Sequence, residues 1–309
     1  MSDYLLSVLL GMVEGLTEFL PVSSTAHLRI SEALFHIDLA NGYWKMYTIV
    51  IQLGAILCLP VYFRQRISKF IGYTRENTSL ILVPLKVLKC LVRAVFWSRP
   101  VQLTLTAFAV TAIPAFLLTK VIGKHLESLY IIGSSLLIGG IVMWIVDEMN
   151  ARSESAGVGA TGTRIHTWHM EDMSLGQAIW IGACQIFSAV FPGTSRSMST
   201  IAAGQIAGMS RASALEFSFF LSIPTMVAAT GYDLLKSLRG KGENAIGVAH
   251  IDPHGWVVLA IGFVVSFIVA YGAVAWFLAW VRKHGFARFA AYRIIVGTLV
   301  LAWASGLLH

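Results

Sequence analysis

Long stretches without a charged residue recur along the chain, and they constrain its fold more than any other feature. A helix needs about 20 mostly apolar residues to cross a bilayer, and in lipid every backbone polar group must be satisfied within the protein. The stretches predict an all-α polytopic membrane protein with about six transmembrane helices, formed as one integral-membrane domain over residues 1–309. They are residues 46–63, 101–119, 128–146, 217–232, 255–281 and 294–308.

The basic residues between these stretches indicate how the chain is oriented. The formal net charge is +7, and Lys and Arg cluster in residues 64–99 and 282–293. By the positive-inside rule we expect these two segments and the loop 147–173 in the cytoplasm. Their position between membrane spans argues against nucleic acid as a partner. Segment 64–99 also carries three basic residues on one helical face, which is typical of a helix on an anionic membrane surface: Lys86, Lys89 and Arg93.

Two further apolar segments, residues 5–20 and 174–191, resemble each other. Each is followed by a proline and a run of hydroxyl residues. The ordered matches indicate an internal duplication. They pair Gly11 with Gly182, Glu14 with Gln185, Pro21 with Pro192, Ser23 with Thr194 and, with a one-residue slip, Gln52 with Ser222.

The duplication predicts inverted-topology repeats over approximately residues 1–146 and 174–309, joined by the cytoplasmic loop 147–173. An odd number of spans in each half would invert the second copy. Inverted repeats typically bring two broken helices together near the bilayer midplane, where irregular backbone must be buried or line a polar cavity. We therefore expect two re-entrant helix hairpins that converge on one site. Gln52 and Ser222 could line that cavity or simply form interhelical hydrogen bonds.

A carboxylate pair lies in the first of the two segments. Glu14 and Glu18 are four residues apart, so on a helix both face the same way. Ionised groups at membrane depth are expensive and are usually functional. Two like charges repel unless a cation or a shared proton separates them. The pair is a candidate ligand set for Mg²⁺ or Ca²⁺, although one carboxylate could act as a base, or both could face an aqueous vestibule.

The hydroxyl cluster that follows the pair supplies candidate nucleophiles. Ser24 is the preferred nucleophile, while Ser23 and Thr25 could contact phosphate or cap a helix. His27 titrates near neutral pH when unperturbed, so it could serve as acid, base or rival nucleophile.

The second motif, residues 192–200, predicts an anion site. Proline and glycine break the helix, and a new helix can begin near Ser195 with its free N–H groups exposed. Arg196 adds a planar, permanently charged fork suited to phosphate oxygens. Helix capping would explain some of the hydroxyls but not an Arg in an apolar half. The candidate phosphate-binding residues here, besides Arg196, are Gly193, Thr194, Ser195, Ser197 and Thr200.

The two motifs, Glu14 to His27 and Pro192 to Thr200, resemble those of the bacterial undecaprenyl-diphosphate phosphatase family, the bacitracin-resistance proteins, and the similarity extends over essentially the whole chain. One departure is Ala26, where the family usually has glycine. The resemblance implies a phosphatase that converts undecaprenyl diphosphate to undecaprenyl phosphate and inorganic phosphate. It also implies a divalent cation, a site that opens to the periplasm, and a role in recycling the lipid carrier of peptidoglycan synthesis.

The expected partners are a polyprenyl diphosphate lipid substrate, the lipids of the bacterial inner membrane, and a second copy of the chain in a homodimer. The main alternative is a transporter or flippase for undecaprenyl phosphate, because inverted repeats with broken helices are typical of transporters. Such a protein needs anion-binding groups but no nucleophile. Phosphate release by purified protein would separate the two functions.

Overall fold

The computed structural model describes residues 2–37, 42–70, 98–118, 128–155, 165–239 and 251–307. In these ranges the secondary structure is helical, apart from one isolated bridge between Thr167 and Met209 and a short 3₁₀ turn at Met170–Asp172. The helices are α1 (Asp3–Thr17), α2 (Ser24–Leu34), α3 (Gly42–Tyr62), α4 (Arg64–Phe70), α5 (Arg99–Leu117), α6 (Leu129–Ser155), α7 (Leu175–Val190), α8 (Arg196–Ile206), α9 (Arg211–Leu238), α10 (Pro253–His284) and α11 (Ala287–Ala304).

Six of the described helices are long and apolar enough to cross a membrane: α3, α5, α6, α9, α10 and α11. Each overlaps one of the charge-free stretches, so the prediction of an all-α multi-pass protein is confirmed. Helix α7 is also apolar, but its 16 residues extend only about 24 Å, less than the hydrocarbon thickness. The two helices that precede the breaks, α1 and α7, are therefore shorter than the spans around them.

Glycines let α1 and α7 pack closely on long helices from the other half of the chain. Helix α1 packs on α10, where a Cβ on Gly15 would lie 2.7 Å from the carbonyl oxygen of Ser266. Helix α7 packs on α5, where a Cβ on Gly182 would lie 2.5 Å from the carbonyl oxygen of Ala107. Small residues at such contacts allow backbones to approach in membrane proteins. The contacts fix both short helices against spanning ones.

The last spanning helix differs from the sequence prediction. Helix α11 begins at Ala287, seven residues before the predicted stretch, and includes Arg293, which is 0% exposed. The expectation that Arg293 lies in a cytoplasmic basic segment is therefore wrong. The prediction ends the stretch at Arg293 because it counts only residues without charge. In the structure, backbone carbonyls accept hydrogen bonds from the buried guanidinium. Helix α6 likewise continues to Ser155, into the predicted loop 147–173.

Some predicted features lie outside the described residues. They include the amphipathic surface face of Lys86, Lys89 and Arg93, and residues 156–164 of the predicted loop 147–173.

Candidate active site

Two helix breaks with the same backbone conformation form the centre of the molecule. Helix α2 follows α1 after residues 18–23, and α8 follows α7 after residues 191–195. Their N-caps are Ser23, with φ 75°, and Ser195, with φ 71°; each side chain accepts a hydrogen bond from the backbone N–H three residues later. Positive φ is uncommon for residues other than glycine and is sustained where the surroundings enforce it.

The caps refine the alignment of the two motifs. The sequence comparison pairs Ser23 with Thr194, whereas the structure pairs Ser23 with Ser195 and therefore Ser24 with Arg196. The second break contains one more residue between its proline and its cap, and Gly193 in that stretch has φ 92°. In the structural register, the nucleophile candidate of one half corresponds to the cation of the other.

Glu18 joins the two breaks. Ser24 Oγ donates a 2.6 Å hydrogen bond to Glu18 Oε2, and Arg196 Nη2 lies 3.4 Å from Glu18 Oε1. The side chains of Arg196 and Glu18 are only 9% and 4% exposed. Arg196 Nη1 also donates to the carbonyl oxygen of Ser218. The structure thus brings together an acid, a hydroxyl and a guanidinium that sequence reasoning selected from two distant motifs.

Glu14 lies one helical turn before Glu18 and is fully buried. Neither of its carboxylate oxygens accepts a hydrogen bond from any described residue. Burying an uncompensated carboxylate costs several kcal/mol, so this position needs a cation or a proton. In the part of the chain that the structure describes, no cluster of three His, Cys, Asp or Glu surrounds the pair. Carboxylate oxygens are the donors of a Mg²⁺-type site, in which one or two carboxylates bind the ion and substrate phosphates complete its shell. Of the pair, Glu18 lines the cavity beside the cluster and Glu14 does not.

A cavity of about 950 Å³ opens beside this cluster. Its lining contains Glu18, Ser24 and Arg196 together with Phe108, Phe116, Leu117, Met226 and small alanines of α5 and α9. A lining that combines charged and apolar side chains suits an amphipathic lipid. The other predicted residues that line it are Ser23, Thr25, Gln52, Gly193 and Ser195.

Gln185 is a cavity residue that sequence reasoning missed. It is 1% exposed, its Nε2 donates to Thr225 Oγ1, and its Oε1 has no partner among the described residues. The signal for it in the sequence is its alignment with Glu14. Asp233 and Tyr232 also line the cavity but belong to no motif.

His27 is not among the residues that line the cavity. Its Nδ1 lies 2.7 Å from the carbonyl oxygen of Ser23, so Nδ1 carries the proton, and its Nε2 lies 2.7 Å from the hydroxyl of Tyr292. The two rings stack with an interplanar angle of 10°. Both ring nitrogens are thus engaged away from Ser24.

Glu14 and four further predicted residues also lie outside the cavity lining. Ser197 Oγ donates to the carbonyl oxygen of Leu20, which ties the second break to the first. Thr200 bonds to the carbonyl oxygen of Arg196 and to the Ser218 hydroxyl. Ser222 is fully buried and donates within α9. Thr194 lines a separate apolar cavity between α6 and α7.

The fold and the site define a class of protein: a multi-pass helical membrane protein with a buried acid–hydroxyl–guanidinium cluster beside an apolar cavity. Residues 7–299 match the family model described as bacitracin resistance protein BacA. The chain belongs to this family, as the two motifs predict.

Relatives of this chain cover nearly its whole length. It is 64% identical over 311 residues to an undecaprenyl-diphosphatase of Koribacter versatilis (strain Ellin345), which covers 98% of this chain and 99% of the relative. It is 39% identical over 310 residues to an undecaprenyl-diphosphatase of Rhizobium etli (strain CIAT 652), with 99% of each chain covered. An undecaprenyl-diphosphatase of Caldanaerobacter subterraneus is 37% identical over 293 residues, covering 95% of this chain and 93% of the relative.

Proposed function

We infer that this protein is an integral-membrane phosphatase that hydrolyses undecaprenyl diphosphate to undecaprenyl phosphate and inorganic phosphate. The relatives named above are undecaprenyl-diphosphatases over almost the full length of this chain. The observation that carries the function is the contact of Glu18 with both Ser24 and Arg196 in the lining of the cavity. A protein that only binds the lipid phosphate would need the guanidinium of Arg196, but it would not need a serine hydroxyl hydrogen-bonded to a carboxylate.

The first step is attack on the terminal phosphorus. Glu18 Oε2 accepts the Ser24 hydroxyl proton across the 2.6 Å hydrogen bond, while Oγ forms a bond to phosphorus. The bond from that phosphorus to the bridging oxygen breaks, and undecaprenyl phosphate leaves. Arg196 stabilises the negative charge on the equatorial oxygens, which is the main catalytic requirement of phosphoryl transfer.

The second step releases phosphate. Water attacks the phosphorus of the phosphoserine, the Ser24 oxygen leaves with the proton held by Glu18, and inorganic phosphate forms. The hydroxyl and the carboxylate return to their starting states. Ser24 is a better candidate nucleophile than His27, since the hydroxyl lines the cavity while both imidazole nitrogens are engaged elsewhere.

The two N-caps supply the phosphate cradle. Helix N-termini offer free backbone N–H groups and the positive end of the helix dipole to an anion. Ser23, Thr25, Gly193 and Ser195 line the cavity beside these termini. The hydroxyls of Ser197 and Thr200 are used in hydrogen bonds within the protein, so they stabilise the breaks instead.

We propose Glu14 and Glu18 as ligands of a divalent cation, Mg²⁺ or Ca²⁺, when the lipid diphosphate is bound. The unpartnered oxygens of Glu14 support this role. Such an ion would neutralise charge on the diphosphate. His27 is assigned to holding the Ser23 carbonyl, and through it the strained cap before Ser24.

Reciprocal packing supports the inverted repeat. Helix α1 packs on α10 and α7 packs on α5, as expected if α1 corresponds to α7 and α5 to α10. The pairs α3 with α9 and α6 with α11 contact each other across the same symmetry. We therefore propose that α1–α2 and α7–α8 are the two re-entrant hairpins, meeting near the midplane of the bacterial inner membrane, with the cavity opening to the periplasm. A homodimer stays a prediction.

Phosphate release from undecaprenyl diphosphate by the purified protein with Mg²⁺ tests this function. Ser24→Ala is expected to lower the turnover by at least about 10³-fold, as loss of a nucleophile does in other hydrolases. Ser305→Ala is the matched control, because this exposed hydroxyl donates to the carbonyl oxygen of Ala302 at the end of α11. Wild-type turnover in Ser24→Ala would exclude the serine nucleophile. No release by the wild-type protein would overturn the phosphatase and favour a flippase for undecaprenyl phosphate.

A further inference from the structure

We infer that Arg293 is a positioning residue of this site, which holds the two helix breaks in the relative placement that brings Ser24 and Arg196 onto Glu18. The inference rests on the proposed phosphatase function. It concerns a residue that sequence patterning assigned to a cytoplasmic segment, and that the structure places at the centre of the protein.

The contacts of Arg293 reach both breaks. Its Nη1 donates to the carbonyl oxygen of Pro21 at 3.0 Å. Its Nη2 lies 3.1 Å from the carbonyl oxygen of Gly193 and 3.0 Å from that of Thr194. A further 3.1 Å contact reaches the carbonyl oxygen of Ser135 in α6. One side chain from α11 thus joins the first break, the second break and a spanning helix.

A guanidinium suits this position because a helix break leaves backbone carbonyls without hydrogen-bond donors. Carbonyls near the end of a helix lose their intrahelical partners, and buried carbonyls need donors from elsewhere. Arginine carries five N–H donors in one rigid plane, so it can serve several carbonyls in fixed directions; lysine offers a single mobile ammonium. Within the described ranges the partners of Arg293 are all carbonyl oxygens, which balance its charge without a carboxylate.

Helix α6 is shaped around the guanidinium. Gly139 faces it so closely that a Cβ there would overlap Arg293 Nη2 and would lie 2.7 Å from Cε of Met198. No side chain larger than hydrogen fits without displacing one of these groups. The space for the arginine is therefore part of the fold.

The position of Arg293 relative to the reacting groups explains its effect. Pro21 comes three residues before Ser24, and Thr194 comes two residues before Arg196. Ser24 is held tightly on Glu18, but Arg196 lies 3.4 Å from it, which is long for an ion pair. A small relative movement of the breaks would act on that contact first, and a 1 Å misplacement can cost about 10²-fold in rate. Arg293 does not line the cavity, so it acts through the two breaks and does not touch substrate.

The test uses full-length protein in detergent or nanodiscs, with turnover and KM measured for undecaprenyl diphosphate. Arg293→Met is expected to lower kcat by about 10²-fold with little change in KM, because the cavity walls that bind the lipid are unaltered. Arg293→Lys should retain more activity than Arg293→Met. Arg288→Met is the control, since Arg288 lies exposed on the same helix over the ring of Trp280, and its kcat should stay within twofold.

A double mutant separates positioning from a loss of folded protein. If Arg293 acts by aligning Arg196, then Arg293→Met should lower kcat much less in an Arg196→Lys background than in the wild type. A general folding defect would lower kcat by the same factor in both backgrounds, and that result would overturn the inference. So would a folded, monodisperse Arg293→Met protein with kcat within threefold of the wild type.

Gly139→Ala covers the case in which Arg293→Met does not fold. It keeps every donor of the arginine but displaces the guanidinium, so kcat should fall about 10-fold at constant KM. An unchanged kcat in a folded Gly139→Ala protein would contradict the positioning role. Failure of the proposed function itself is distinct, because the wild-type protein would then release no phosphate.

Discussion

The two helix breaks share a backbone conformation but carry opposite chemistry. Both begin a new helix from a serine cap at positive φ, and both offer helix N-termini to the same cavity. The first break adds Glu18 and Ser24, the proposed base and nucleophile. The second adds Arg196, which provides a cation. In the proposed mechanism both helix N-termini bind phosphate, while the side chains of the two breaks take different parts in the reaction.

The helices that lead into the breaks differ in the same way. Glu14 in α1 and Gln185 in α7 are both buried, and both have oxygen atoms that find no partner among the described residues. Only Glu14 carries a formal charge, and its position near Glu18 demands compensation. Thus the short helix and break of the first half carry negatively charged side chains, whereas the corresponding part of the second half carries no charge before Arg196. The predictions that follow test this division.

The largest effect is expected from removing the cation of the second break. Arg196→Gln should lower kcat by about 10³-fold, because an arginine that stabilises a phosphoryl-transfer transition state contributes 10³-fold or more. Steady-state phosphate release measures this. Arg152→Gln serves as control, since Arg152 is exposed and pairs with Glu148 one turn away. A loss below 10-fold would mean that Arg196 has no direct part in the chemistry.

Neutralising the first half should have an intermediate effect. Glu14→Gln is expected to lower kcat by about 10²-fold and to weaken activation by Mg²⁺, because one proposed ligand is lost. In the absence of divalent cations the variant should unfold at a higher temperature than the wild type, since a buried glutamine needs neither a cation nor a proton to neutralise it. A Mg²⁺ titration of activity and a thermal unfolding curve with chelator measure the two effects. Unchanged Mg²⁺ dependence would contradict the metal role.

The smallest effect concerns the shared backbone. Ser195→Ala should lower the free energy of unfolding by about 1–2 kcal/mol, because alanine loses the capping oxygen and is strained at positive φ. Ser195→Gly should cost only a few tenths of a kcal/mol, since glycine tolerates that conformation. The same ordering is expected for Ser23→Ala and Ser23→Gly. Unfolding midpoints in one detergent compare the four variants, and equal stability of an Ala and Gly pair would argue against strain at that cap.

The spanning helices could be predicted from the sequence because lipid imposes a simple rule on composition. Runs without charge located α3, α5, α6, α9 and α10 to within several residues. The rule failed at α11, since it treats every arginine as a boundary. Arg293 is tolerated because carbonyls from residues about 100 and 270 positions away surround it. Only the tertiary structure reveals those partners.

The candidate site was predictable where residue type alone indicates chemistry. Glu18, Ser24 and Arg196 could be selected because acids, clustered hydroxyls and arginine are unusual in apolar segments, and the structure brings them together. The direction of the His27 ring depends on Tyr292, which no local pattern connects to it. The extra residue near Gly193, which shifts the register of the second cap, also became visible only from the backbone angles.

The close glycine contacts of the two short helices have a mechanical consequence. Helix α1 packs closely on α10 and helix α7 on α5, so each half of the chain has a short helix in close contact with the other half. Rocking the halves as rigid bodies would have to separate two backbone-to-backbone contacts at once. The two halves are therefore held in one relative position. This arrangement favours catalysis at a fixed site over a transport cycle in which the site alternately faces the two sides of the membrane.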